Sequence, residues 1–294
     1  MSTTTTGGAP VRARVAVLGR GEVPADAPAV RADDLGLGRG DGCFETLRVV
    51  GRPGAAAHVQ HLDAHLERLA ASCAAMDLPA PDRGAWLALV AGLVDAVPAG
   101  AEAVLKLVVT RGVPGTGTAT GVGTLSPVGP ALLRARAEGV RAVTLPTGVD
   151  ARVHASAPWL LGGVKCLSYA VNSAALREAA RRGADDAVLV DARGLLLESP
   201  TASLVWSAGG ELRTPPVEGT GVLPGTVQRA VFAAAAAEGV GAREVAGTVG
   251  DLLAADAVWL TSSVRGVAEL LALDGAELHR DPALTARVRG WAGF

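Results

Sequence analysis

The stretch "GGVKCLSYAVNSAALREAARRGADD", residues 162–186, contains residue types that the rest of the chain scarcely uses. Of the 27 basic residues only Lys106 and Lys165 are lysines, Tyr169 is the single tyrosine, and Asn172 is the single asparagine. A guanidinium stays charged in a protein, whereas an ammonium can lose its proton and then attack a carbonyl. A lysine at this position indicates either that its amine reacts with a carbonyl group or that two lysines have survived by chance. The neighbouring sequence distinguishes these two explanations.

The overall composition limits what the protein can be. A chain of 294 residues predicts one large domain or two ordinary ones, burying roughly three quarters of the surface of the unfolded chain. With 49% hydrophobic but only 3% aromatic residues, the core is expected to consist mostly of Ala, Val and Leu. The net charge of −2 argues against nucleic acid or an acidic membrane surface as the main partner, because the sequence contains no basic stripe that would bind either of them.

The cysteines and the N-terminus favour a cytoplasmic protein. Cys43, Cys73 and Cys166 are odd in number, widely spaced and without a CxxC pair, so neither a disulfide framework nor a zinc site is indicated, and we expect no metal. The sequence "MSTTTTGGAP" lacks a charged segment followed by an apolar one, and no apolar run of about 18 residues occurs elsewhere. We therefore predict no signal peptide, no membrane span, a reducing compartment and a disordered leader over residues 1–10.

Hydrophobic periodicity predicts helices and strands on both sides of one irregular segment. Residues 112–130, "GVPGTGTATGVGTLSPVGP", are so rich in Gly, Pro and Thr that we expect no regular element there. Before this segment, strand signals lie at 14–19, 42–54 and 102–112, and helix signals at 61–78 and 84–96. After it, strand signals lie at 139–146, 187–191, 203–207 and 257–263, and helix signals at 168–182 and following 223–226. Lys106 falls in the third of these strands, where we expect its amine at the sheet rim.

Mixed elements on both sides of one connector favour a two-domain α/β (α+β) fold. We predict a small N-terminal α/β domain over residues 11–115 and an interdomain connector over 116–130. A large C-terminal domain is expected over 131–294.

Six stretches of the chain carry a common resemblance: "GDGCFETLRV" (40–49), "HLERL" (65–69), "GVKCLSYAVN" (163–172), "GADDAVLVDARGLLLESPTASLVW" (183–206), "TPPVEGTGVLPGT" (214–226) and "WLTSSVRGV" (259–267). Taken in this order, they resemble the class IV aminotransferase family, the pyridoxal-phosphate enzymes of fold type IV. The resemblance covers roughly residues 12–270. It implies a small N-terminal domain, a larger pyridoxal-phosphate-binding C-terminal domain with a mixed β sheet or barrel, and a homodimer in which a loop of the partner completes each active site.

The resemblance also implies roles for three residues near the cofactor ring. Lys165 matches the lysine that forms a Schiff base with the cofactor aldehyde and, once displaced by substrate, carries the proton beside the labile carbon. Glu198 matches the carboxylate that keeps the ring nitrogen protonated, which makes the ring a better electron sink. Tyr169 matches a tyrosine that lies near the phenolic oxygen of the cofactor in relatives.

A phosphate site is implied in the same way. Arg68 matches a fixed cation, and Gly225 allows close approach of the phosphate to the amides of Thr226 and Val227 at a helix start. Many relatives have threonine where this chain has Val227, so we expect that only the amide remains as a donor there. The further matches to phosphate ligands are Thr261 and Ser262.

The leading interpretation of the reaction is that of an aminodeoxychorismate lyase, which converts 4-amino-4-deoxychorismate to 4-aminobenzoate and pyruvate. It rests on the similarity of "GDGCFETLRV", "KCLSYA" and "LTSSVRGV" to lyase-type members. In that reaction Lys165 removes the proton from the amine-bearing ring carbon, and aromatisation drives loss of the enolpyruvyl group.

Two other interpretations stay open. The first is an aminotransferase acting on D-amino or branched-chain amino acids, because some lyases carry an arginine and a tyrosine where this chain has Thr116 and Thr118. The substrate carboxylate then needs another partner, for which Arg111 and Arg265 are candidates, while Glu45 either borders the substrate pocket or is solvated. The second is a catalytically dead relative that only binds the cofactor, and a visible absorbance scan separates this case.

Overall fold

The structure is a computed structural model that describes residues 10–294, in which the chain folds into two compact units. Unit 1 comprises residues 10–129 together with Lys165–Ser168, and unit 2 comprises Pro130–Val164 and Tyr169–Phe294. The leader expected over residues 1–10 lies outside the described residues except for Pro10. The catalytic lysine candidate therefore belongs to unit 1, although most of the chain around it in sequence belongs to unit 2.

Unit 1 contains one antiparallel sheet of six strands in the order β2-β1-β6-β5-β3-β4. Its elements in chain order are β1 (Arg14–Val17), β2 (Gly21–Val23), α1 (Leu35–Arg39), β3 (Gly42–Arg52), β4 (Ala55–Val59), α2 (Leu62–Ala75), α3 (Arg83–Val94), β5 (Glu102–Thr110) and β6 (Thr120–Pro127).

The two faces of this sheet differ in what covers them. Leu105 and Leu107 of β5 are fully buried, and they join Leu47 of β3 in a core that includes Leu69 of α2 and Trp86 of α3. Successive side chains of a strand point to opposite faces, so α2 and α3 cover the face that carries the odd-numbered residues of β5.

Residues 102, 104, 106 and 108 of β5 project from the other face and are half-buried. The expectation that the Lys106 amine lies at the sheet rim is wrong, because β5 is an inner strand and Lys106 is at its middle.

The prediction of an irregular connector over residues 116–130 is wrong for most of that segment. Residues 120–127 form β6, which pairs with both β1 and β5 inside the sheet. Its glycines make room for neighbours: a Cβ at Gly121 would lie 2.3 Å from Cδ1 of Leu18, and one at Gly123 would lie 2.4 Å from Cδ2 of Leu89. The glycine content of this strand therefore reflects close packing and not a loop.

Unit 2 contains a mixed sheet in the order β11-β10-β9-β12-β13-β7-β8, with β14 paired to β13. Its helices are α4 (Pro130–Glu138), α5 (Ala170–Arg181), α6 (Thr226–Ala237), α7 (Val249–Leu253) and α8 (Pro282–Trp291), with 3-10 turns at Ala151–Ala155 and Pro158–Leu160. Its strands are β7 (Val140–Pro146), β8 (Asp186–Val190), β9 (Ser203–Ala208), β10 (Glu211–Thr214), β11 (Ala242–Glu244), β12 (Ala257–Ser262), β13 (Gly266–Leu273) and β14 (Ala276–Glu277).

Both faces of the central strands of unit 2 are buried. Val258 of β12 packs in one apolar cluster with Trp206, while Trp259 packs in another with Val231 of α6 and Val288 of α8. The start of α6 lies beside the carboxyl end of β12, because Thr226 Oγ1 is 3.3 Å from Oγ of Ser263, the residue that follows β12. Within residues 10–294 no helix combines the length and the apolar character needed to cross a membrane.

Candidate active site

Lys165 is held against the first residues of β3. Its carbonyl accepts a hydrogen bond of 2.9 Å from the amide of Phe44, and Leu167 N donates to Gly42 O at 2.8 Å. The amine of Lys165 lies 4.5 Å from the centroid of the Phe44 ring, within the range of a cation–π contact. The backbone and the aromatic ring thus fix the position of the lysine that the sequence predicts to be catalytic.

A buried group of three polar side chains joins β3 to α2. Arg68 donates from Nε and Nη2 to the two carboxylate oxygens of Glu45, at 2.6 and 2.8 Å, and Nδ1 of His65 lies 2.6 Å from Glu45 Oε2. Glu45 and His65 are fully buried, and Arg68 is 8% exposed. The alternative that Glu45 is solvated is therefore wrong, because Glu45 is fully buried and both of its oxygens are bonded inside unit 1. That it borders the substrate pocket stays a prediction.

The charges of this group follow from its contacts. Burial raises the pKa of Glu45, but the hydrogen bonds from Arg68 and His65 outweigh it and lower the pKa to about 2. Burial lowers the pKa of His65, opposed by Glu45 and reinforced by the positive charges of Arg68 and Lys165. Glu45 is accordingly ionised and His65 neutral near pH 7, so the imidazole donates its Nδ1–H to the carboxylate.

The two arginines predicted as substrate anchors already have carboxylate partners. Arg111 donates from Nε and Nη2 to Asp41, at 2.6 and 3.2 Å, and also to the carbonyl oxygens of Met76 and Asp77. Arg265 is 6% exposed and donates from Nη1 to Asp186 at 2.5 Å. Nε and Nη2 of Arg265 are buried without a hydrogen-bond partner among the described residues, and the roles of both arginines as substrate anchors stay predictions.

In unit 2 the single tyrosine and the single asparagine bind the same carbonyl. Tyr169 donates its hydroxyl to Pro200 O at 2.9 Å, and Asn172 donates from Nδ2 to the same oxygen at 2.8 Å. Pro200 follows Glu198 by two residues, and Glu198 Oε1 accepts a hydrogen bond of 3.3 Å from the amide of Leu223. The start of α5, the Glu198 loop and the turn before α6 are thus linked. That Tyr169 lies near the phenolic oxygen of the cofactor stays a prediction.

Hydroxyl groups and the amides of the first helical turn converge at the start of α6. Gly225 is the N-cap residue and offers no side-chain cap to the amides of the first turn, and a Cβ there would lie 2.2 Å from Ser203 Oγ. Ser203 pairs in register with Thr261, whose Oγ1 is buried without a hydrogen-bond partner among the described residues. Thr226 Oγ1 lies 3.3 Å from Ser263 Oγ. Helix amides together with hydroxyls are a suitable donor set for an anion such as a phosphate.

The other two predicted phosphate ligands differ in what they offer. The side chain of Val227 is 1% exposed and packs with Val231 and Trp259 in the core, so only its amide is available at the helix start. Ser262 is half-buried at the end of β12, beside Ser263. The predicted set is thereby brought together on α6 and β12, while Arg68 belongs to unit 1.

Comparison with known proteins identifies the family of this chain. Residues 42–273 match the family model described as amino-transferase class IV, and the protein belongs to that family. It is 40% identical over 264 residues to a bifunctional aminodeoxychorismate lyase / D-amino acid transaminase of Mycobacterium tuberculosis, covering 87% of this chain and 89% of the relative. Two solved structures match with TM-scores of 0.88. One is a PLP-bound hypothetical aminotransferase from Mycobacterium tuberculosis (38% identity; 96% and 98% coverage), and the other a fold IV transaminase from Curtobacterium pusillum (40%; 96% and 97%).

The protein is therefore a pyridoxal-phosphate-dependent enzyme of fold type IV. The residues present fit this cofactor. In unit 1, Lys165 would supply an amine for its aldehyde. In unit 2, the hydroxyl of Thr261, which has no hydrogen-bond partner among the described residues, and the start of α6, which has no side-chain cap, would supply donors for its phosphate. A side chain at position 225 would fill the space beside Ser203, which explains why glycine occupies that position.

Several residues of the site carry no signal that sequence reasoning detected. Ser203 and Ser263 become neighbours of the α6 start only through strand pairing, and His65 joins Glu45 only because α2 packs on β3. Asn172 is the exception. It is the single asparagine of the chain, and its rarity could have marked it as a structural partner of the Glu198 loop.

Proposed function

We propose that this enzyme is an aminodeoxychorismate lyase that converts 4-amino-4-deoxychorismate to 4-aminobenzoate and pyruvate. The observation that carries the proposal is the 40% identity over 87% of the chain to a relative named for this activity together with D-amino acid transamination. The lyase-type motifs that surround Phe44, Lys165 and Thr261 support it.

We assign the following tasks to residues of this chain. Lys165 holds the cofactor and then accepts the proton from the amine-bearing ring carbon of the substrate. Glu198 keeps the pyridine nitrogen of the cofactor protonated, and the α6 start with Thr226 and Thr261 binds the phosphate. Arg68 is the cation that the family resemblance implies for the phosphate, and within unit 1 Glu45 fixes the orientation of its guanidinium.

When bound, the cofactor supplies an electron sink for the negative charge that develops on the carbon losing its proton. Lys165 removes that proton, the C–O bond to the enolpyruvyl group breaks, and the ring becomes aromatic as 4-aminobenzoate. The departing enolate takes up a proton and becomes pyruvate. The atoms balance without a second substrate, so the lyase needs no 2-oxo acid.

This difference gives the decisive assay. Purified enzyme with pyridoxal phosphate is supplied with 4-amino-4-deoxychorismate in the absence of any 2-oxo acid, and 4-aminobenzoate and pyruvate are measured. We expect their release in equal amounts, with the Lys165→Ala variant as the blank. Amino transfer from D-alanine to 2-oxoglutarate without product release in the first assay would overturn the lyase proposal.

Transamination of D-amino acids is the second candidate function. It is favoured by the second activity in the name of the Mycobacterium tuberculosis relative and by the likeness to the Curtobacterium pusillum transaminase. A branched-chain amino acid is the alternative donor. Running both assays on one preparation decides whether the enzyme performs one reaction or both.

We also propose that the enzyme is a homodimer, as the family resemblance implies. The expected result is a mass in solution close to twice the chain mass of 29.4 kDa, measured by light scattering coupled to gel filtration. A monomer with full activity would contradict it. The cytoplasmic location inferred from the cysteine pattern stays a prediction.

A further inference from the structure

The three cysteines of the chain lie together in unit 1, although they are far apart in sequence. Sγ of Cys43 on β3 is 3.5 Å from Sγ of Cys73 on α2, and Cys166 forms an isolated antiparallel bridge with Cys43. All three are free thiols, and none of them has a task in the reaction proposed above. Cys43 therefore has one thiol neighbour in the core and a second on the segment that carries Lys165.

The sulfur atoms of Cys43 and Cys73 are already in contact. Both side chains are buried, at 0% and 1% exposure, and pack in the apolar cluster that contains Leu69. A disulfide requires the distance between these sulfurs to shorten from 3.5 Å to about 2.05 Å. The hydrogen bond that joins them raises the pKa of Cys43, with a further rise from burial, and lowers the pKa of Cys73. Cys73 is accordingly the better nucleophile of this pair.

Cys166 is the cross-strand neighbour of Cys43. The pair lies between the two backbone hydrogen bonds, of 2.9 and 2.8 Å, that hold Lys165 against β3. Cysteines in this position form a non-hydrogen-bonded pair, in which the opposite Cα atoms are about 4.5 Å apart and the side chains are close. A disulfide spans Cα distances of about 4.4–6.8 Å, so Cys43 can form a bond to Cys166 as well as to Cys73.

The three thiols differ in their access to solutes. Cys166 is half-buried, whereas Cys43 and Cys73 are enclosed by the core of unit 1. Oxidants attack cysteines according to thiolate character and exposure, and the sulfenic acid that forms condenses with a thiol beside it. Cys166 is therefore the thiol that an oxidant in solution reaches first, and Cys43 is the thiol placed to react with its oxidised form.

We propose that the three cysteines form a modification site for small hydroperoxides, at which oxidation enters at Cys166 and ends as a disulfide between Cys43 and Cys73. The sulfur of Cys166 attacks the hydroperoxide and its O–O bond breaks. Cys166 becomes a sulfenic acid, and its thiol proton goes to the departing oxygen, which leaves as an alcohol, or as water from hydrogen peroxide. The sulfur of Cys43 then bonds to that of Cys166, and the hydroxyl group leaves with the Cys43 proton as water.

Thiol–disulfide exchange completes the sequence. The thiolate of Cys73 attacks the sulfur of Cys43, the bond to Cys166 breaks, and Cys166 leaves as a thiolate that takes up the proton lost by Cys73. Two thiols have then lost two electrons and two protons, and the hydroperoxide has been reduced to an alcohol and water. The product joins β3 to α2 with both sulfurs buried, so reductants in solution reach it less readily than they reach Cys166.

The test follows the bonds themselves and is independent of the reaction that the enzyme catalyses. Holoenzyme of the full chain is treated with hydrogen peroxide, free thiols are alkylated, and the intact mass and the linked peptides are determined without reduction. Wild type should lose the mass of two hydrogen atoms, with Cys43 bonded to Cys73 and Cys166 alkylated. Cys73→Ala should stop one step earlier, with Cys43 bonded to Cys166. Cys43→Ala should form no disulfide, and its Cys166 should be trapped by dimedone as a sulfenic acid.

Cys166→Ser tests the point of entry. It should slow disulfide formation about tenfold or more, because both remaining thiols are buried. In concentrated urea this variant and wild type should react at rates within about twofold of each other, because unfolding exposes every thiol. Cys73→Ser and Cys43→Ser are read in the same way if the alanine variants do not fold.

Four results would overturn the inference. They are the absence of a disulfide in oxidised wild type, a wild-type rate in folded Cys166→Ser, a final bond in wild type that includes Cys166, and a disulfide between two chains instead of within one.

Discussion

Lys165→Ala is expected to abolish covalent attachment of the cofactor and to lower turnover by several orders of magnitude. In the proposed mechanism Lys165 provides the amine for the cofactor aldehyde and carries the proton of the reaction, so the variant loses both tasks. The chain contains just one other lysine, so the assignment is a choice between two positions. Lys106 lies at a similar distance from the Phe44 ring, which makes it the natural competitor.

The measurement is reduction of the holoenzyme with borohydride followed by peptide mapping. Wild type and Lys106→Ala should both carry the reduced cofactor on Lys165, and Lys165→Ala should carry none. A reduced cofactor found on Lys106 in wild type would refute the assignment. The Lys106→Ala variant serves as the control, because it removes an equally placed amine and should keep the yellow colour.

Arg68→Met is expected to lower the free energy of unfolding by about 3–5 kcal/mol. It removes both hydrogen bonds from a guanidinium to the carboxylate of Glu45, which is fully buried and then holds its charge with His65 alone. Glu45 contributes stability above its unfolded pKa of about 4.5, and this contribution is lost as pH falls toward its folded pKa of about 2. Without Arg68 the folded pKa rises, so acid destabilisation begins at higher pH.

Urea unfolding of the apoenzyme at pH 7 measures the effect without the cofactor. The double variant Arg68→Met with Glu45→Gln should recover at least half of the loss, because the amide oxygen still accepts from His65 and no buried charge remains. Arg31→Met breaks an exposed pair with Asp33 and should cost less than about 1 kcal/mol. If Arg68→Met cost no more than that control, the buried pair would have no structural role.

Much of the fold could be predicted because local periodicity agrees with the tertiary structure. The apolar face of α2 and the alternation along β5 were visible in the sequence, and both helix and strand form where expected. β6 was missed because Gly-rich strands look like loops. Its glycines are explained by Leu18 and Leu89, residues that are distant in sequence and close only in the folded unit.

In the candidate site, too, some residues could be predicted from local sequence and others could not. Lys165, Glu198 and the turn before α6 belong to contiguous motifs, so resemblance to a family predicted them. The contact between Lys106 and Phe44 arises from pairing of β3 with β5, and the contact between Glu45 and Arg68 from packing of α2 on β3. Neither has a local signature, and Lys106 was accordingly interpreted as an ordinary strand residue.

The carbonyl of Pro200 has a consequence for mutational tolerance. Its two donors, Tyr169 and Asn172, are side chains and can each be lost by one substitution, but the acceptor belongs to the backbone and survives any replacement at position 200. The hydrogen bonds between the start of α5 and the Glu198 loop can therefore be lost by substitution of the donor residues but not by substitution of the acceptor residue. Random mutagenesis should find intolerance at positions 169 and 172, while a scan of position 200 reports only on backbone conformation and not on this hydrogen-bond pair.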